Sequence, residues 1–206
     1  MSAPPPVAAS NSLVNRVKNI LVQPAAEWQV IDSEPATVGS IYAGYIAILA
    51  GAAAICSALF LFRLPGAAIR LAVVSFVTAL AMPYVVALII DALATSFGGT
   101  RNQVQALKVA AYSSTPSWVA NIVAGILALI SGGGYGGRSG LGGLVSLLGG
   151  IYSLYLLYHG LPKLMKAPAD RAMGYTVVTV CATIVVYAVI GVFLYGMLIG
   201  TAALGY

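Results

Sequence analysis

The chain is short of charge. Of its 206 residues, five are Asp or Glu, ten are Lys or Arg and one is His, whereas a water-facing domain carries roughly a quarter of its residues charged. A soluble surface is therefore excluded. The same scarcity narrows the chemistry. His159 is the sole histidine and has no carboxylate or thiol at ligand spacing beside it, so no metal is expected. No serine or cysteine nucleophile stands out as its partner, and no enzymatic activity or cofactor is expected. Cys56 and Cys181 each lie inside an apolar run, where a thiol acts as a small hydrophobe rather than as half of a disulfide. The cations stand singly between apolar segments instead of forming a patch, which sets aside nucleic acid as a partner.

What is abundant is hydrophobic: 60% of the residues are apolar or aromatic. That composition defines an integral membrane protein, and about 20 consecutive apolar residues cross a bilayer as a helix. Five stretches qualify, at Ile41–Phe62 and near Leu71–Ala94, Val109–Ile130, Leu141–Tyr158 and Tyr175–Ile199. The expected fold is an all-α integral membrane protein, a bundle of about five transmembrane helices with short interfacial helices ahead of it. In the third stretch, VAAYSSTPSW is weakly apolar and holds Pro116, where a kink would free a backbone carbonyl for Ser113, Ser114 or water. Pro83 is expected to bend the second.

The chain divides into residues 1–12, a disordered tail without the features of a signal peptide; 13–36, a cytoplasmic interfacial segment; and 37–206, the transmembrane domain. In the middle part Leu13, Val17, Ile20 and Leu21 share a helical face after Asn11 or Ser12 as cap, with Arg16 and Lys18 elsewhere. Pro24 then opens a second short helix, in which Trp28 is expected to anchor at headgroup depth, and Pro35 ends it. The glycine-rich run SGGGYGGRSGLGG, 131–143, lacks the lysine and hydroxyl of a phosphate-cradling loop and reads as a flexible connection.

Tyr152–Tyr175 sets the orientation. Tyr152, Tyr155 and Tyr158 ring the end of an apolar run, and Lys163, Lys166 and Arg171 follow; aromatics favour the headgroup level and cationic loops the cytoplasm. Placing the N terminus inside puts Arg16, Lys18, Arg101, Lys108, Lys163, Lys166 and Arg171 on the inner side and Arg63, Arg70 and Arg138 on the outer side. With five spans the C terminus is then outside.

Asp91 is the one carboxylate within an apolar run. A charge at mid-bilayer costs about 2.5–3.5 kcal/mol on insertion scales, so it needs a partner or water. Arg101 and Lys108 on the following segment are the nearest candidates, with Lys163 or Lys166 on the same side. A structural ion pair and a proton or substrate site both fit. The candidate polar site is Asp91, Lys108, Tyr112, Pro116, His159, Lys163 and Lys166.

NILVQPAAEWQVIDSE, the intramembrane Asp91, QALKVAAYSSTPSWV and YLLYHGLPKLMKAPADRAMGYTV occur in an order that resembles the bacterial branch of the Yip family, small polytopic membrane proteins whose eukaryotic members interact with Ypt and Rab GTPases. The resemblance runs from about Asn19 to Val192. It implies a five-helix bundle with a cytoplasmic N-terminal region in a bacterial inner membrane. Rab partners do not carry over, because the N-terminal region is very short and a prokaryotic membrane has no Rab cycle. The function expected is non-enzymatic, organising membrane lipids or partner proteins, other membrane proteins or the chain itself, as an accessory subunit of a larger assembly. The alternative is a small transporter or channel that uses Asp91.

Overall fold

A computed structural model describes residues 12–58, 65–130 and 140–203, with side chains for 12–56, 69–70, 72–130 and 140–192. Among the described residues every regular element is helical. The expected tail, apart from Ser12, and most of the glycine-rich run lie outside the described residues, as do Arg63 and Arg138.

Ser12 accepts a hydrogen bond from the Asn15 amide at 3.2 Å and so caps α1 (Leu13–Val22). Pro24 occupies the first turn of α2 (Pro24–Ser33), where its missing N–H costs nothing. A reciprocal capping box between Thr37 and Ser40 then starts α3 (Val38–Ile41), which passes through a π-helical turn (Tyr42–Ile46) into α4 (Ala47–Ala58). The remaining helices are α5 (Pro65–Ala94), α6 (Gln103–Ser113), α7 (Thr115–Ile130), α8 (Leu141–Leu164) and α9 (Ala172–Ala203).

Among the described residues, five stretches are long and apolar enough to cross a membrane: Val38–Cys56, Ala72–Phe97, Gln103–Ile130, Leu141–Leu164 and Ala169–Val192. This is the expected number. The third begins earlier than Val109 and the fourth runs past Tyr158. In the fourth, the Gly-Leu-Pro segment stays helical because Gly160, Leu161 and Leu164 are buried in protein rather than handed to water.

The expected kink in the third span is a true break, whereas α5 runs continuously from Pro65 to Ala94 through Pro83. The third span divides at Ser114, and the Ser113 and Ser114 hydroxyls both donate to the Ala110 carbonyl, at 3.3 and 2.7 Å. Pro116 cannot donate to the Tyr112 carbonyl four residues back; the Ser114 amide turns to that carbonyl instead, and the two serine hydroxyls serve the Ala110 carbonyl it leaves. Pro83 lies inside α5 and likewise deprives the Ala79 carbonyl of a partner. One residue along, the Leu80 carbonyl accepts from the Tyr42 hydroxyl at 2.8 Å.

Glycines set the closest helix approaches. A Cβ on Gly125 of α7 would lie 2.2 Å from the Cys56 carbonyl oxygen of α4, and one on Gly149 of α8 would lie 2.4 Å from Ala120 Cβ of α7. Without side chains at these points the backbones meet directly, the contact that drives helix association in lipid. Gly150, by contrast, meets nothing within 4 Å. Gly125→Ala should therefore lower stability by about 1–3 kcal/mol through overpacking. Gly150→Ala should be neutral or stabilising by up to about 1 kcal/mol from helix propensity. Thermal unfolding in detergent reads both, and equal effects would contradict the packing described.

Candidate functional site at the charged end of the bundle

Helices α1 and α2 fold back against one end of the bundle, where the α5–α6 and α8–α9 connections also meet. The Thr100 amide donates to the Met165 carbonyl at 2.8 Å, joining the two connections. Gln105 donates to the Asp32 carbonyl at 3.3 Å, and Lys166 pairs with the Asp32 carboxylate, tying both to α2. Lys166 holds φ +56°, a left-handed conformation unusual for a side-chain-bearing residue. The chain's five acids, Glu27, Asp32, Glu34, Asp91 and Asp170, all belong to the elements that meet here.

At the centre is Arg16. It lies one turn before Ile20 on the face of α1 turned to the protein, and is 8% exposed, whereas the pattern of α1 placed it off the apolar face. One terminal nitrogen donates to Glu27 at 2.6 Å, and the other donates to both oxygens of Glu34. Its guanidinium carbon lies 5.7 Å from the Tyr112 ring centroid, within cation–π range. Burial alone would lower the Arg16 pKa, but the Glu34 hydrogen bond and the charges of Glu34 and Glu27 outweigh it and hold the group above its ordinary value. The cation is therefore permanent.

Lys108 is the second buried cation, 3% exposed. Its ammonium donates to the Ile31 carbonyl at 2.8 Å and the Glu34 carbonyl at 2.6 Å. These are carbonyls at the C-terminal end of α2, where unpaired acceptors and the helix dipole favour a cation. Lys163 reaches the opposite end of α2, donating to the Ala25 carbonyl of its first turn at 2.7 Å.

Trp28, expected at headgroup depth, is wholly enclosed by protein. Its ring lies over Gly160 of α8, where an added Cβ would come within 2.8 Å of it, and meets Tyr112 edge-on at 6.5 Å between centroids. Gly160 makes the slot, and lipid is shut out. Tyr112 continues to Tyr45 at 4.6 Å, and Tyr45 to Trp118 at 6.4 Å, so an aromatic row leads from the charged end into the bundle. The Tyr45 hydroxyl shares a 2.6 Å hydrogen bond with Thr115 beside buried Pro116.

The expected residues thus fall into separate groups. Lys108 and Tyr112 join Arg16, and Pro116 lies further along the aromatic row. Asp91 stands apart with Arg101 at 3.3 Å, a pair whose arginine side chain is 61% exposed. Asp91 is not bonded to Lys108, Lys163 or Lys166, all of which bind α2 instead. His159, half-buried, packs edge-on against Tyr155 and Tyr158 at 4.4 and 5.2 Å. Sequence reasoning missed Arg16, Glu27, Glu34 and Gly160. The available signal was that Glu27, Asp32 and Glu34 make three of only five acids and follow closely on Arg16.

Apolar length, helical breaks repaired by hydroxyls and glycine-mediated contacts together define a multi-pass helical membrane protein. The chain belongs to the Yip family: the Yip1 domain model matches residues 18–193, which takes in the second half of α1, all of α2 and nearly all of the bundle. No curated protein and no solved structure matches it.

Arg16→Met should destabilise the protein by about 3–5 kcal/mol, because two carboxylates are left in a partly dry site without their cation. Combining it with Glu27→Gln and Glu34→Gln should recover a large part of that loss. Thermal unfolding of the single and combined variants reads the coupling; simple additivity would show that the three groups do not act together.

Proposed function

We propose that the chain is a non-enzymatic organiser of membrane lipids or partner proteins in a bacterial inner membrane, serving as an accessory subunit of a larger assembly. The supporting observation is the deployment of its scarce charge. Arg16, Lys108, Lys163 and Lys166 are all engaged in holding α1 and α2 to the bundle. They build a fixed platform at one membrane face rather than converge on a substrate. The same groups lie on the side with the larger cation count, so this face is the cytoplasmic one, and the C terminus is outside.

A transporter using Asp91 has one point in its favour, a buried Oδ1 without a hydrogen-bond partner. Against it, four cavities among the described residues, between the helices and beneath α2, are lined without Asp91, and its other oxygen faces Arg101 at the charged end.

Co-purification from native membrane should recover a protein or lipid at fixed stoichiometry; recovery of the bare chain would contradict the organising role. Reporters fused after Tyr206 should work only if active outside, and those inserted at 163–171 only if active inside. Asp91→Asn should leave stability within about 1 kcal/mol, because an amide keeps a hydrogen bond to the exposed Arg101 and removes a charge whose Oδ1 is buried without a partner. A proton-coupled flux in vesicles that Asp91→Asn abolishes without changing stability would establish the transporter instead.

A further inference from the structure

Among the described side chains of the ninth helix, the buried ones are confined to its start. Tyr175 donates its hydroxyl to the Ile90 carbonyl, its ring stacks on Phe97 at 5.0 Å, and the buried residues of α9 are Ala172, Tyr175, Thr176 and Thr179. From 180 to 192 none is buried. Where α9 leaves the bundle, a cavity of about 510 Å³ opens between α5, the Ser114 break, α8 and α9. That volume falls in the ~300–1,000 Å³ range of small-molecule sites.

Two features identify what fills it. The cavity is open sideways, since Leu147, Ile151, Ile184 and Tyr187 line it and are each about half exposed or more, at 60, 56, 60 and 49%. In a membrane-spanning segment that side faces acyl chains. Second, its serine hydroxyls are already committed. Ser113 and Ser114 donate to Ala110, Ser153 bonds Ser117 at 2.8 Å, and Ser146 donates to Asn121 at 3.3 Å. These donors are taken, which leaves the Thr183 and Tyr187 hydroxyls on a wall otherwise made mostly of aliphatic side chains, a lining that suits an apolar chain. An unfilled cavity forfeits dispersion contacts on its walls, and a neighbouring acyl chain restores them.

We propose that this groove is a binding site for one phospholipid acyl chain, inserted laterally between α8 and α9. The site rests on the lipid-organising reading above and gives it a location. Gly150 lines the groove and meets nothing within 4 Å of an added Cβ, so Gly150→Phe sets a ring into it from open space. Leu148, 64% exposed on the same helix and outside the groove, provides Leu148→Phe as control. Ile184→Trp obstructs the same space from α9 and gives an independent reading should the phenylalanine variant fold poorly.

The probe is dioleoyl phosphatidylethanolamine, added to the full-length chain in detergent and counted by native mass spectrometry. The unmodified chain and Leu148→Phe should each retain one lipid, and Gly150→Phe and Ile184→Trp should retain it about tenfold less at unchanged melting temperature. Equal retention in all four, or none on the unmodified chain, overturns the groove while leaving the charged platform, which co-purification reads. A dimer lost on Gly150→Phe would show that a second copy occupies the groove, and would overturn the proposal as well.

Discussion

The arrangement of the N-terminal third depends on one buried cation. Arg16 is nearly inaccessible, and Glu27 and Glu34 close around it from α2 and the turn that follows. Desolvating a guanidinium is expensive, and the cost is offset only if its donors are met with good geometry. Because the two carboxylates lie at opposite ends of α2, meeting both fixes α2 relative to α1. Tyr112 beneath the guanidinium then fixes the pair relative to the third span. Once α2 is placed, Trp28 reaches Gly160, Lys108 and Lys163 reach α2 carbonyls, and Lys166 reaches Asp32.

The molecule therefore has two regimes. At the charged end, large side chains are enclosed, as with Trp28, Tyr175, Leu161 and Met165. Beyond the Ser114 break, packing relies on glycine and alanine between α4, α7 and α8, and α9 stands away with its apolar residues outward. In lipid this carries no hydrophobic penalty, since acyl chains solvate Val185 or Val189 as well as protein would.

Much of this was legible in the sequence because it follows from local rules. Apolar length located the five spans, Pro116 with its serines located the break in the third, and Pro24 and Ser12 marked helix starts. Arg101, the partner of Asp91, was one of four cations that chain proximity and sidedness offered, with Lys108, Lys163 and Lys166. What was not legible depends on chain reversal. The periodicity of α1 describes one helix alone, so it could not reveal that α2 would return with two acids and make Arg16 an interior residue. Trp28 carries the composition of a headgroup anchor, and only the slot left by Gly160, far along the chain, turns it inward. His159 and Lys163 are near neighbours in sequence, yet one meets tyrosines of its own helix and the other a carbonyl of α2.

Whether α1 and α2 are part of the folded bundle or riders on the lipid surface is decided by backbone hydrogen exchange with the chain in lipid nanodiscs. Amides over 13–33 should be protected in step with those of α6 and α8, and Arg16→Met should expose them selectively, because the buried cation fixes both helices. Rapid exchange over 13–33 in the unmodified chain, indifferent to Arg16, would mean that the helices are held by lipid alone and that the ion cluster does not organise the fold.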